Sequence, residues 1–282
     1  MNDQGKKSKS SSFTKKSFLP KDTTSILESG IEIENLNLQL YRYAYAEENK
    51  NGGFHKKELC FKISDVYRPI LTNLNEHIQN VWEPIKIQDK PFIVSQQSRW
   101  AIGIGGGSPY GNLLLPALHP LYGFPYIPAS TLKGLMRNSW IDKNCNNDEN
   151  SEEVLRLFGS PASDTSDDRV NLEGKVGQLI FFDGFPSADC NGKLVKDVFA
   201  PHYPDYYNSF GGTPPTDDQN PVPIEFLCIE DFTFNIYIGT REKLSEEEKI
   251  KLQNTLNYVF SGHGIGAKTA LGYGRGELSK II

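Results

Sequence analysis

Two glycine-rich segments constrain this chain more than anything else in it. The first, RWAIGIGGGSPYGNLLLPALHPLYGFPYIPASTLKGLMR, covers residues 99–137, and the second, SGHGIGAKTALGYGRGE, covers residues 261–277. Glycine lets backbone N–H groups approach a ligand closely, and each segment adds a few cations, the combination that a chain of phosphates requires. Neither segment sets a nucleophile beside a base, so the pattern favours binding over chemistry.

The charge map agrees with that reading. The net charge of −5 argues superficially against nucleic acid, but placement matters more than the total. Residues 99–143 hold four cations against one Asp, and residues 261–282 hold three against one Glu. The acids lie elsewhere: residues 148–168 hold seven carboxylates and only Arg156, and residues 217–231 hold five and no cation. Two cationic islands thus sit on an acidic protein. The 282 residues suffice for a substantial core, in one elaborated domain or two small ones. No apolar run approaches the ~20 residues of a membrane span, and the Lys/Ser-rich start lacks a secretory h-region, so a cytoplasmic protein is expected.

Metal and redox chemistry find little to work with. Cys60, Cys145, Cys190 and Cys228 are far apart and read as free thiols, with Cys228 in the core. His55, His77, His119, His202 and His263 are equally scattered, with no partner at a zinc-ligand spacing, so neither metal nor cofactor is expected.

Along the chain, residues 1–30 read as a disordered basic tail with six Lys in residues 1–21, and residues 31–91 as an accessory segment packed on a main domain spanning 92–282. In the accessory segment, Leu36, Leu38 and Leu40 alternate like a strand, Asn51-Gly52-Gly53 marks a turn and residues 58–82 look mostly helical. The main domain opens with Trp100, Ile102 and Ile104 alternating as a strand, followed by a loop to Pro128 too rich in Gly and Pro to be a plain connector. A helix follows, with Ser130 or Thr131 as N-cap and Leu132, Leu135, Met136 and Trp140 as its apolar stripe. Its first N–H groups, supplemented by Ser130, Thr131, Lys133 and Arg137, make a candidate anion site.

Residues 178–182 predict a buried strand, and residues 222–229 and 232–238 a hairpin across Glu230-Asp231. Residues 184–221 hold too many Pro, Gly and Asp for regular structure throughout. Ser245 and Glu248 form a capping box for a second helix buried through Leu252, Leu256, Val259 and Phe260, and residues 270–279 predict a last strand. The order strand, helix, strand, strand, helix, strand predicts an α+β fold, ferredoxin-like or RRM-like βαββαβ, with long loop insertions. GHGIGAKT nearly spells a phosphate loop, but a helix precedes it and a strand follows, the reverse of what a nucleotide triphosphatase needs. Its glycines can instead form a backbone nest around Lys268, Tyr273 and Arg275.

The stretch GFPYIPASTLKGLMR resembles the GxPYIPGSSLKGxxR signature of RAMP proteins, the repeat-associated subunits of CRISPR effector complexes, and GIGAKTALGYGRG resembles their C-terminal glycine-rich loop. DVFAPHYPDYY followed by PVPIEFLCIE narrows the likeness to the sixth subunit of the type III-B Cmr complex. The resemblance covers residues 92–282 and departs from the signature at Ala129, where relatives carry glycine. It implies a non-catalytic backbone or capping subunit in antiviral defence that holds the 3′ part of the crRNA, alone or paired with target RNA. It further implies as partners the backbone RAMP subunits, the small helical subunit and the other RAMP subunit of the 3′ end, and no membrane. The RNA-binding residues so implied are Arg99, Ser130, Thr131, Lys133, Arg137, Gly264, Gly266, Lys268, Thr269, Tyr273 and Arg275. The competing expectation is an endoribonuclease of the same fold, acting through His202 as general base or through a metal held by Asp197 and Asp205. The residues speak for the first: a Pro-flanked aromatic knot such as APHYPDYY is more often packing or a partner surface, and the Asp pair lacks a third ligand. His119, among Leu118, Pro120 and Leu121, reads as a satisfied loop histidine.

Overall fold

The computed structural model describes residues 20–279 except 30, 32, 44–45, 49–53, 57–60, 63–66, 109–110, 161–173, 217–219 and 222. The Asn51-Gly52-Gly53 turn and residues 1–19 of the basic tail lie outside them. The helices are α1 (Lys21–Glu28), α2 (Leu36–Tyr41), α3 (Tyr67–Trp82), α4 (Ala129–Asn144), α5 (Glu152–Phe158), α6 (Pro204–Asn208) and α7 (Glu246–Tyr258). The strands are β1 (Ala46–Glu48), β2 (Phe54–Lys56), β3 (Phe61–Lys62), β4 (Phe92–Gln96), β5 (Gly106–Ser108), β6 (Gly111–Leu115), β7 (Gly159–Ser160) and β8 (Lys175–Val176). They continue with β9 (Leu179–Phe181), β10 (Phe185–Pro186), β11 (Lys193–Phe199), β12 (Ile224–Glu230), β13 (Thr233–Ile236), β14 (Ile238–Thr240) and β15 (Gly276–Leu278). The protein is α+β.

Two sheets organise the molecule. The first, in the order β10-β13-β4-β15, is antiparallel throughout. Phe92, Val94, Phe234, Ile236 and Leu278 alternate along its strands and are buried in one continuous cluster with Leu132 and Met136 of α4 and Leu252 and Leu256 of α7. The period of 3.6 explains the helices' part: Leu132, Met136 and Trp140 form one stripe, as do Leu252, Leu256 and the following Val259. Helix α7 starts where the sequence places it, at the reciprocal Ser245–Glu248 capping box. The second sheet, β3-β11-β12-β6-β5, is antiparallel except for the parallel pair β12–β6.

Trp100 joins the two layers. Its indole stacks on Phe234 at 5.3 Å and on Phe260 at 5.7 Å, while its backbone pairs with Ile229 of the second sheet (2.9 and 3.0 Å). The accessory segment packs on this body: the Trp82 indole donates to the Ile238 carbonyl at 2.8 Å, and Arg68 donates to the Ala188 carbonyl at 2.6 Å.

Four sequence expectations are corrected. Leu36 and Leu40 lie on one face of a helix, because a spacing of four serves a helix as well as a strand, and the Asn35 side chain caps it by accepting from Leu38 N–H at 3.0 Å. The opening strand is β4 rather than residues 99–104. Trp100, Ala101 and Ile102 are all buried because this stretch passes between the sheets and is covered on both sides. The predicted hairpin across Glu230-Asp231 is not one: β12 pairs with β11 and β6, and β13 with β4 and β10. Asp231, with φ +62°, turns the chain from one sheet into the other. The last strand is confined to Gly276–Leu278, and a single 3₁₀ turn, Thr269–Leu271, occupies the predicted beginning. In addition, Lys21–Glu28 of the segment read as a tail is helical, and residues 184–221 contain the seven-residue strand β11.

Candidate nucleic-acid interface

Helix α4 enters through Pro125-Tyr126-Ile127-Pro128, where buried Ile127 exchanges backbone hydrogen bonds with Gly184 (2.9 and 2.8 Å). The residue before the helix is Pro128, which offers no side-chain cap, so neither Ser130 nor Thr131 is the N-cap. Asp183 takes that role from the next strand region: its carboxylate accepts from Ala129 N–H at 2.6 Å. A carboxylate at a helix N-terminus complements the dipole, so part of the expected anion site is already filled from within. What remains open is the flank. Ser130 is exposed, and Thr131, Lys133 and Arg137 are half-buried beside the apolar stripe. Arg137 approaches Glu149 at 4.0 Å, while Lys133 has no acidic partner among the described residues. A Cβ added at Gly134 would meet nothing within 4 Å.

His119 lies below this entry, its ring 4.8 Å from Tyr122 and 5.3 Å from Tyr126, with Nδ1 accepting from Tyr122 N–H. Burial lowers its pKa, opposed by the charge of Asp183, as befits a packed loop histidine.

The C-terminal loop is built differently. After α7 the backbone widens into a π-type turn, Val259–His263, and Ile265 is buried as an anchor. Gly266 and Gly274 have φ of +87° and +80°, and a Cβ there would fall 2.6 Å from the Ala101 carbonyl oxygen and 2.2 Å from that of Ile265, respectively. These two glycines are required by the fold itself. The loop lies on the outer face of the second sheet, where Ala101, Phe226 and Cys228 form a small separate core flanked by Phe199, Ala267 and Tyr273.

Its charged groups are engaged internally. Arg99 bridges Asp197 (2.9 Å) and Glu230 (3.1 Å), and Tyr273 donates its hydroxyl to the same Asp197 oxygen that Arg99 reaches, at 2.6 Å. Burial works to raise the Asp197 pKa, but the Tyr273 hydroxyl, the Val198 N–H and Arg99 together hold it below the usual carboxylate range. Lys193, with Arg99, likewise depresses Glu230, and burial followed by Asp197 pushes the Tyr273 phenol up to about 12. Arg275 donates to the carbonyls of Gly262 and Thr269. The Lys268 ammonium sits 3.7 Å above the Phe199 ring and 5.5 Å from that of Phe226. Lys268 is left-handed, φ +63°, and the N–H groups of Lys268, Thr269 and Ala270 find no acceptor among the described residues.

The candidate residues therefore fall into two sets. Arg99, Lys268, Thr269, Tyr273 and Arg275 are tied together through Asp197 and the loop backbone, and Gly264 and Gly266 belong to the same loop. Ser130, Thr131, Lys133 and Arg137 lie on α4, which packs against α7 and the turn at Val259–His263 where that loop begins. Sequence reasoning missed Asp183, Glu230, Phe199 and Phe226. It named Asp197 only as half of an Asp pair, and that carboxylate is taken by Arg99 and Tyr273. His202 and Asp205 are exposed at α6. Among the described residues no three His, Cys, Asp or Glu side chains cluster as metal ligands, and no helix is long and apolar enough to cross a membrane.

Comparison with known proteins adds a family. The RAMP superfamily profile matches residues 101–277, which contain both sets except Arg99. The CRISPR system subunit Cmr6 of Pyrococcus furiosus is 29% identical over 64% of this chain and 65% of its own length. Cmr6 of Saccharolobus solfataricus is 28% identical over 73% of this chain and 63% of its own. The chain thus spans a little under two thirds of these relatives. A chain of the type III-B Cmr-beta complex bound to cognate target RNA superimposes with a TM-score of 0.53 at 23% identity, covering 79% of this chain and 68% of that one, a likeness of fold.

Proposed function

Because the chain belongs to the RAMP superfamily, we propose that it is a cytoplasmic, non-catalytic subunit of a type III-B CRISPR effector complex, holding the 3′ part of the crRNA beside other Cmr subunits. The core is read as a ferredoxin-like βαββαβ domain, supported by the antiparallel order β10-β13-β4-β15 with α4 and α7 as its two crossovers. The observation that carries the reading is the run of acceptor-free N–H groups at Lys268, Thr269 and Ala270 on a loop braced from behind. Successive amides of this kind make a concavity for anions such as phosphate oxygens, and they read no base sequence.

The two sets of residues then take different parts. Lys133, with Ser130, Thr131 and Arg137, supplies cationic and hydroxyl contacts from α4. In the loop the backbone amides meet the RNA, while Arg99, Lys268, Tyr273 and Arg275 fix its shape, with Gly264, Gly266 and Thr269 in its frame. Adjoining backbone, small helical and 3′-end RAMP subunits complete the surface, which also faces any target strand paired with the guide.

The Asp-pair form of the ribonuclease alternative is disfavoured by the engagement of Asp197 with Arg99 and Tyr273. Incubating the purified protein with labelled RNA, with and without a divalent metal, tests the choice. Retention without cleavage is expected; cleavage abolished by His202→Ala would reverse the assignment.

A further inference from the structure

The segment linking β11 to β12 carries an aromatic surface that neither sheet nor helix uses. Phe210 is 99% exposed, the most exposed large apolar side chain among the described residues, and Tyr207 beside it is 59% exposed. Chance mobility does not account for this. Phe210 holds φ +52°, uncommon for any residue but glycine and especially for a bulky one. The turn around it is closed by hydrogen bonds from Gly211 N–H to the Tyr206 carbonyl (2.9 Å), Gly212 N–H to the Ser209 carbonyl (3.0 Å) and Thr213 N–H to the Ser209 hydroxyl (2.8 Å). The Gly211 backbone folds against the Tyr206 ring, which meets the Tyr207 ring edge-on at 5.6 Å. Short α6 and this turn thus hold Phe210 and Tyr207 outward on a fixed support.

Rigid exposed aromatics are the anchors of protein interfaces, where they bury large area at little cost in conformational freedom. They also stack on nucleic-acid bases, so charge must decide. The connecting segment itself, residues 200–223, holds three carboxylates and no Lys or Arg, while Asp197, Glu225, Glu230 and Asp231 of the flanking strands and turn are paired with Arg99, Lys193 and Lys196. A polyanion would meet no cation from this segment, whereas a cationic side chain meets net negative charge and the ring faces.

We infer that Tyr206, Tyr207 and Phe210 form the docking site for a Lys/Arg-bearing segment of a protein partner. This rests on the proposed function only in that the partner is an adjoining subunit of the effector complex. The segment carries none of the cations assigned to RNA, although it starts directly after Phe199, the ring on which Lys268 rests, so the chain holds guide and neighbour through different chemistries.

The test replaces Phe210 with the photo-crosslinker p-benzoylphenylalanine in the full chain, assembled with the other subunits and guide RNA. Irradiation should join position 210 to a Lys/Arg-rich peptide of another subunit. A crosslink to RNA, a crosslink to a segment without cations, or none at all overturns the inference. In parallel, the double variant Tyr207→Ser with Phe210→Ser should assemble at least tenfold more weakly while the isolated chain keeps its melting temperature and RNA affinity; unchanged assembly also overturns it. Because RNA affinity is read on the isolated chain, failure of the RNA assignment is seen separately from failure of the docking site.

Discussion

On α4, Lys133 faces no carboxylate among the described residues and Arg137 only a distant one, while in the C-terminal loop Lys268 rests on Phe199 and Arg275 on two carbonyls of its own loop. Both segments read alike in the sequence, glycine-rich with a few cations. The helix needs no help from its polar side chains to keep its shape, because its apolar stripe is buried and its backbone bonds are internal, so its cations stay available. An irregular loop has no ladder of its own. Its cations and its tyrosine become struts, and its amides are what is left to present.

The same contrast separates the glycines, and mutation should split them. Gly274→Ala forces a Cβ to 2.2 Å from a carbonyl oxygen at positive φ, and should destabilise the protein by about 2–4 kcal/mol, lowering the melting temperature by roughly 5–10 °C. Gly134 is helical with open space beside it, so Gly134→Ala should stabilise the isolated chain by about 0.5–1 kcal/mol. If the vacant space at Gly134 is where RNA backbone lies, the same substitution weakens guide-RNA affinity. Thermal unfolding and RNA titration of both variants check the pair. Equal melting temperatures would erase the distinction between a loop glycine that the fold needs and a helix glycine that it does not.

A smaller effect comes from the brace. Asp197 and Glu230 are held below the usual carboxylate range in the folded protein. Their contribution is therefore complete above the unfolded value of about 4 and is lost as pH falls through the lowered folded values. The melting temperature should drop more steeply below pH ~4 in the wild type than in Asp197→Asn. Parallel acid limbs would show that the Arg99–Asp197–Tyr273 contact contributes nothing to stability.

How much of this was legible beforehand depends on how local the cause is. The helix at α7 could be read from Ser245, Glu248 and the spacing of Leu252 and Leu256, because cap and stripe are written within a few residues. Phe226 and Cys228 gave a misleading run: apolar on both faces, β12 looked like half of a hairpin, whereas it is a central strand covered on one side by a loop from the far end of the chain. Nothing within residues 222–238 announces that cover. At the candidate site the residue types were readable and their employment was not. Asp183 at the start of α4 lies 54 residues away from Ala129, and Arg99 and Asp197 are 98 apart. Pairings over such separations are fixed by the path of the sheets, which no local pattern encodes.

The contrast between Lys133 on α4, without an acidic partner among the described residues, and the engaged cations of the loop is tested most directly by the salt dependence of guide-RNA affinity. In plots of log affinity against log salt for the single-stranded guide, Lys133→Gln should reduce the slope by about 0.7, the loss of one phosphate contact. Lys268→Gln should leave the slope unchanged, any weakening being the same at every salt concentration. A slope reduced by Lys268→Gln and untouched by Lys133→Gln would contradict the account.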